Sequence, residues 1–148
     1  MQIKTKISIA CDHAGFKTKE YLKEYLTQKA YKVIDFGCFS EESVDYSDFA
    51  HPMAVSVENG ESEFGISLCG SGNGINMTVN KHQGIRSALC WNTELASLAK
   101  QHNNANICAL PARFISLEEA KNIIDIFIET DFEGGRHQKR IEKIPIKH

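Results

Sequence analysis

Arginine is scarce in this chain: only Arg86, Arg113, Arg136 and Arg140 occur, two of them close together near the C-terminal end. No Cys-x-x-Cys pair, internal repeat or low-complexity segment is present. No uninterrupted apolar run approaches the ~20 residues needed to cross a bilayer. The opening Met1-Gln2-Ile3-Lys4-Thr5-Lys6 leads into no apolar signal region. The formal net charge is only -2, which gives no general attraction to nucleic acid or to an acidic membrane surface. These absences exclude a membrane span, a polyanion-binding module and an exported scaffold, and the expected location is the cytoplasm. The cysteines (Cys11, Cys38, Cys69, Cys90 and Cys108) are odd in number and do not cluster with histidine, so neither a disulfide framework nor a tetrahedral zinc site is expected. Cys38, Cys90 and Cys108 read as small buried apolar residues.

What is present is a chain of 148 residues, 42% hydrophobic and 24% charged, the proportions of one globular domain with a proper core. Short apolar runs at 6–11, 31–36, 64–69, 84–89 and 106–110 alternate with segments of helical period. The helices are expected over 16–26, from about 48 to 58, from the glycine-rich segment to about 80, over 93–102, and from Ser116 to 128. Ser116 followed by Glu119 is a capping-box signal for the last of these. Strands separated by helices imply parallel pairing with helices on both faces. The expected fold is therefore a three-layer α/β/α Rossmann-like sandwich with a five-stranded, mostly parallel sheet, as one domain over residues 1–148. From about residue 131 the chain reads as an extended C-terminal arm.

Open parallel sheets bind ligands beyond the carboxyl ends of their strands. That rule gathers Asp12 and His13 after the first strand, Cys69-Gly70-Ser71-Gly72-Asn73-Gly74 after the third, and Arg113 after the fifth. His102 and Asn103 end the helix before the fifth strand, and their place in the same cleft follows less directly. Cys69 ends a strand and precedes a turn into a helix, whose free N–H groups and partial positive charge favour a thiolate. A thiolate is a general base or a nucleophile; the competing reading is a buried strand-end cysteine. Gly70, Gly72 and Gly74 let the backbone close around an anion. The segment lacks the Lys-Ser/Thr ending of a Walker loop and the Gly-x-Gly-x-x-Gly spacing of a dinucleotide site, so a nicotinamide cofactor is disfavoured. Arg136 and Arg140 are either a phosphate clamp, for which guanidinium forks suit, or a solvated basic tail. His13 and His102 are candidate acid–base groups because imidazole titrates near neutrality.

Six segments occur in order: Ile9-Ala10-Cys11-Asp12-His13-Ala14-Gly15, Cys69 to Gly74, Asn80-Lys81, Gly84-Ile85-Arg86, Gln101-His102-Asn103, and Glu133-Gly134-Gly135-Arg136-His137-Gln138-Lys139-Arg140. Together they resemble the type B ribose-5-phosphate isomerase family, which also includes the bacterial galactose-6-phosphate isomerases. The resemblance implies interconversion of D-ribose 5-phosphate and D-ribulose 5-phosphate through an enediolate, with no metal and no organic cofactor. It implies Cys69 as the proton-transfer base, with Ser71 beside the reacting oxygens and His102 opening the furanose ring. The N–H groups from Gly70 through Ser71, Gly72 and Asn73 to Gly74 would stabilise the enediolate. Asp12 and Asn103 would hold substrate hydroxyls, and Arg113, Arg136 and Arg140, with His13, the phosphate. It further implies a homodimer or dimer of dimers with shared sites. Ser47 stands where the family usually has proline, and Ile75-Asn76-Met77-Thr78-Val79 is bulkier than the family's run. Two other readings are an isomerase of a six-carbon aldose 6-phosphate (allose or galactose 6-phosphate) and a non-catalytic sugar-phosphate sensor.

Overall fold

A computed structural model describes residues 5–147. Five strands, β1 (Lys6–Cys11), β2 (Lys32–Asp35), β3 (Phe64–Cys69), β4 (Ser87–Leu89) and β5 (Ile107–Pro111), form one sheet in the order β2-β1-β3-β5-β4. Every pairing is parallel. The helices are α1 (Phe16–Gln28), α2 (Tyr46–Glu58), α3 (Asn73–Val79), α4 (Thr93–Asn103), α5 (Leu117–Glu129) and α6 (Arg136–Ile141).

Alternation along the strands divides the core in two. Ile7, Ile9 and Cys11 of β1, Ile66 and Leu68 of β3, and Cys108 and Leu110 of β5 face α1, α4 and α5, where Leu22, Ala96, Ile124 and Phe127 meet them. On the other face Ala10, Cys69 and Ile107 meet Met53 and Val57 of α2 and Ile75 and Val79 of α3. Each fully buried Leu, Ile or Phe contributes about 1.5–3 kcal/mol against staying exposed. This is the expected three-layer sandwich, with the sheet parallel throughout.

The Ser116 capping box forms as expected, Glu119 N–H donating to Ser116 Oγ at 3.0 Å and Ser116 N–H to Glu119 Oε1 at 2.9 Å. All five cysteines are free and buried. Two expectations shift. β4 begins at Ser87 rather than residue 84, because Ile85 N–H closes a turn onto His82 O and Arg86 N–H donates to Asn106 Oδ1 at 2.8 Å. The segment from residue 131 is not extended throughout: Arg136–Ile141 is helical, and α6 buries His137 and Ile141. Glu133 N–H donates to Gln101 O at 3.1 Å, which fastens the segment to α4.

Candidate active site

The backbone ladder continues past the strand ends. Asp12 N–H donates to Leu68 O (3.2 Å), Ala112 N–H to Cys69 O (3.0 Å) and Arg113 N–H to Gly70 O (3.0 Å). These bonds set the loops after β1, β3 and β5 side by side at one end of the sheet. Asp12 Oδ1 accepts from Ala14 N–H (2.9 Å) and Gly15 N–H (3.3 Å), capping a single 3-10 turn over His13–Gly15. His13 Nδ1 accepts from Val44 N–H at 3.2 Å, so the neutral ring carries its proton on Nε2. Cys69 closes β3 on the α2–α3 side, 5% exposed, against Ala10 and Ile75.

The turn after Cys69 depends on its glycines. Gly72 has φ +79°, and a Cβ there would strike Leu89 Cδ1 and lie 3.2 Å from the Leu110 backbone. A Cβ on Gly70 would press on the Arg113 guanidinium at 3.1 Å, so Arg113 lies directly over the turn. A Cβ on Gly74 would collide with the ring and hydroxyl of Tyr46. Ser71 Oγ accepts from Asn73 N–H at 3.2 Å and fixes the entry to α3. The N–H groups of Ser71, Gly72 and Gly74 find no backbone acceptor among the described residues. One end of the sheet thus collects Asp12, His13, Cys69, Gly70, Ser71, Gly72, Asn73, Gly74 and Arg113. Tyr46 joins them, a residue the sequence did not single out.

The remaining predicted residues stand elsewhere. α4 runs antiparallel to the strands, so His102 and Asn103 arrive at the opposite, amino end of the sheet. Asn103 O there accepts from Arg86 Nε at 3.1 Å, just ahead of β4. In the β3–β5 register Ile107 pairs with Gly65 and Pro111 with Cys69. Four residues at about 3.3 Å put roughly 13 Å between the two levels along the strands. The α6 segment reaches that same far end, because its His137 ring stacks on His102 with centroids 4.4 Å apart and planes 15° from parallel. Glu133 Oε1 lies 3.9 Å from His102 Nε2 and 3.6 Å from His137 Nε2. Burial lowers the pKa of His137, and the nearby His102 and Arg136 lower it further, against the opposing pull of Glu133. Arg136 and Arg140 flank His137 on α6. Within one chain, therefore, His102, Asn103, Arg136 and Arg140 do not meet Cys69. His137 and Glu133 belong to their group and were missed; Glu133 lies ahead of α6, outside any helix, so helical spacing does not mark the pair.

The first group offers a thiol, a glycine turn with open N–H groups and a guanidinium. The second offers imidazoles and two more guanidiniums. Together these are the parts for binding a phosphorylated hydroxyaldehyde and moving its protons.

Comparison with known proteins agrees with that chemistry. The sequence profile described as Ribose/Galactose Isomerase matches residues 7–144. Ribose-5-phosphate isomerase B of Escherichia coli (strain K12) is 42% identical over 139 residues, spanning 94% of this chain and 93% of its own. A crystal structure of a ribose 5-phosphate isomerase from Thermotoga maritima has TM-score 0.94 and 50% identity, covering 95% of this chain and 97% of that one. The structure of ribose-5-phosphate isomerase B from Mycoplasma genitalium with bound ribulose-5-phosphate has TM-score 0.91 and 41% identity, covering 97% and 95% respectively.

Proposed function

The chain belongs to the ribose/galactose isomerase family and acts as a ribose-5-phosphate isomerase, and we propose that it does so through two half-sites contributed by two copies of itself. The observation that carries the pairing is the separation of Cys69 from His102 by the length of the sheet. A two-fold assembly that sets the carboxyl end of one copy's sheet against the α4–α6 corner of the other completes two equivalent sites at once.

In that site Arg136 and Arg140 of one copy, with Arg113 and His13 of the other, bind the phosphate. Its binding energy aligns the reacting carbons. His102 moves the proton that opens the furanose ring, and Asn103 and Asp12 hold substrate hydroxyls. The Cys69 thiolate removes the proton from C2 of the open aldose, electrons shift to O1, and an enediolate forms. The proton then returns at C1 to give the ketose. The N–H groups of the Gly70–Gly74 turn receive the charge that develops on oxygen, at about 3–4 kcal/mol of transition-state stabilisation per donor. Ser71 is the hydroxyl that relays protons between O1 and O2. The residues assigned here supply every proton transfer, so the reaction calls for no cofactor. Among the described residues no helix is long and apolar enough to cross a membrane, and we place the protein in the cytoplasm, where its phosphorylated substrates are retained.

The test is an isomerase assay with ribose 5-phosphate, alongside solvent deuterium incorporation at the transferred carbon. Cys69→Ala should bind substrate and lose both turnover and exchange, by at least the 10²–10⁴-fold typical of general-base removal. Normal turnover in that variant would remove Cys69 from the mechanism. Allose and galactose 6-phosphates in the same panel should turn over more slowly.

A further inference from the structure

Charge is sorted between the two poles of the sheet. Past the carboxyl end of β2 stand the exposed carboxylates of Glu41, Glu42, Asp45 and Asp48, with no basic residue among them. At the other pole Arg136, Lys139, Arg140 and Lys143, all exposed, recur at helical spacing along α6 and the turn after it. They share one face, and the buried His137 and Ile141 lie off it. Among the described residues only Glu41 of these eight has an ion-pair partner, Lys17 at 3.7 Å, with both side chains more than half exposed. A pair so exposed contributes little. Glu142, the acid that interrupts the basic run, is held by Gln138 Nε2 at 2.8 Å. The acidic loop is also tied to the site, because Val44 N–H, in the middle of it, donates to His13 Nδ1. In the shared site His13 of one copy and Arg136 and Arg140 of the other take the same phosphate. The second copy's α6 therefore comes to lie beside this loop, and Lys139 and Lys143 arrive with it.

We propose that the acidic loop 41–48 of one copy docks on the basic face of α6 in a second copy of this chain, and that this contact, made twice across the two-fold axis, steers and strengthens pairing. The inference rests on the shared-site reading. In a solitary chain the carboxylates beside His13 repel a phosphate dianion. The docked lysines offset them, so pairing and phosphate binding strengthen together.

The test follows pairing of the full-length protein by sedimentation and by isomerase activity on dilution. The dissociation constant of the wild-type pair should rise about tenfold or more between about 0.05 and 0.5 M salt. Glu41→Lys/Glu42→Lys and Lys139→Glu/Lys143→Glu should each weaken pairing about tenfold or more. Each should keep the wild-type kcat at saturating substrate once the protein is concentrated enough to pair. Mixing the two variants should restore tight pairing and activity, because the mixed pair matches lysine to glutamate at one contact and keeps the native match at the other. Variants that pair as the wild type does, or a mixture no tighter than its parents, overturn the docking contact. An active pair indifferent to salt overturns it too, and leaves the shared site standing. A wild type fully active as a monomer overturns the shared-site reading, and the contact with it.

Discussion

A mixed dimer of two crippled chains should work. Take Cys69→Ala as one parent and the double variant Arg136→Ala/Arg140→Ala as the other. The first destroys the half-site at the carboxyl end of the sheet, the second the half-site at the α4–α6 corner, roughly 13 Å away along β3 and β5. Each charge-assisted phosphate bond lost costs about 1.5–3 kcal/mol, so the double variant loses about 3–6 kcal/mol, more than a hundredfold in kcat/KM. Both parents should therefore show under ~1% of wild-type activity at low substrate. Co-expressed with two different affinity tags and purified through both, the mixed dimer holds one site with both lesions and one with neither. It should recover about half of wild-type activity per dimer. A mixed dimer as inactive as its parents would refute the reasoning, because a site drawn from one chain cannot be rebuilt by a partner with a different lesion.

The glycine turn makes a stability prediction. Gly72→Ala combines a left-handed backbone at φ +79° with a clash on Leu89 and the Leu110 backbone, and should cost about 2–5 kcal/mol. Gly134→Ala, at φ +71° with nothing within 4 Å, should cost only about 1–2 kcal/mol. Equal losses in urea denaturation at one protein concentration would reject the packing part. The Lys19–Asp35 pair predicts a pH dependence. Asp35 lies 2.6 Å from Lys19 Nζ, with the Lys19 side chain fully buried, and 3.1 Å from Lys23 Nζ. Burial alone would raise its pKa, but Lys19, the Gly37 N–H and Lys23 outweigh it and hold it below the usual carboxylate range. A lowered folded-state pKa contributes stability above the unfolded value, and that stability is lost as pH falls through the folded one. Asp35→Asn should therefore cost about 3–5 kcal/mol at pH 7, and the deficit should shrink below about pH 4. A deficit of the same size at pH 3 would reject the electrostatic account.

The layers and both cores were legible because parallel strands buried on two faces leave short, mostly apolar runs, such as Phe64–Cys69 with only Ser67 polar, between helices of clear period. The Ser116 cap was legible because its chemistry is local. β4 was misjudged at its start because the turn at Ile85 and Arg86 is fixed by His82 and by Asn106, a residue distant in sequence. α6 was hidden behind Gly134 and Gly135 and buries only His137 and Ile141, too few to set a period. The cleft at the strand ends was predictable from topology alone. The same topology sends the end of α4 to the opposite pole, which is why His102 could be named from its motif and not placed. Tyr46 went unnoticed because its role depends on the space left by Gly74, a relation that spacing along the chain does not encode.

The distance between Cys69 and His102 has a consequence beyond geometry. An enzyme whose site closes only when two copies meet has no active solitary form, so its rate per chain follows the fraction paired. On dilution below the dissociation constant of the pair, total rate should fall with the square of the amount of protein rather than in proportion to it. On the proposed sharing of sites between two copies, the fold works as a gauge of its own abundance, nearly silent when scarce and fully committed once plentiful.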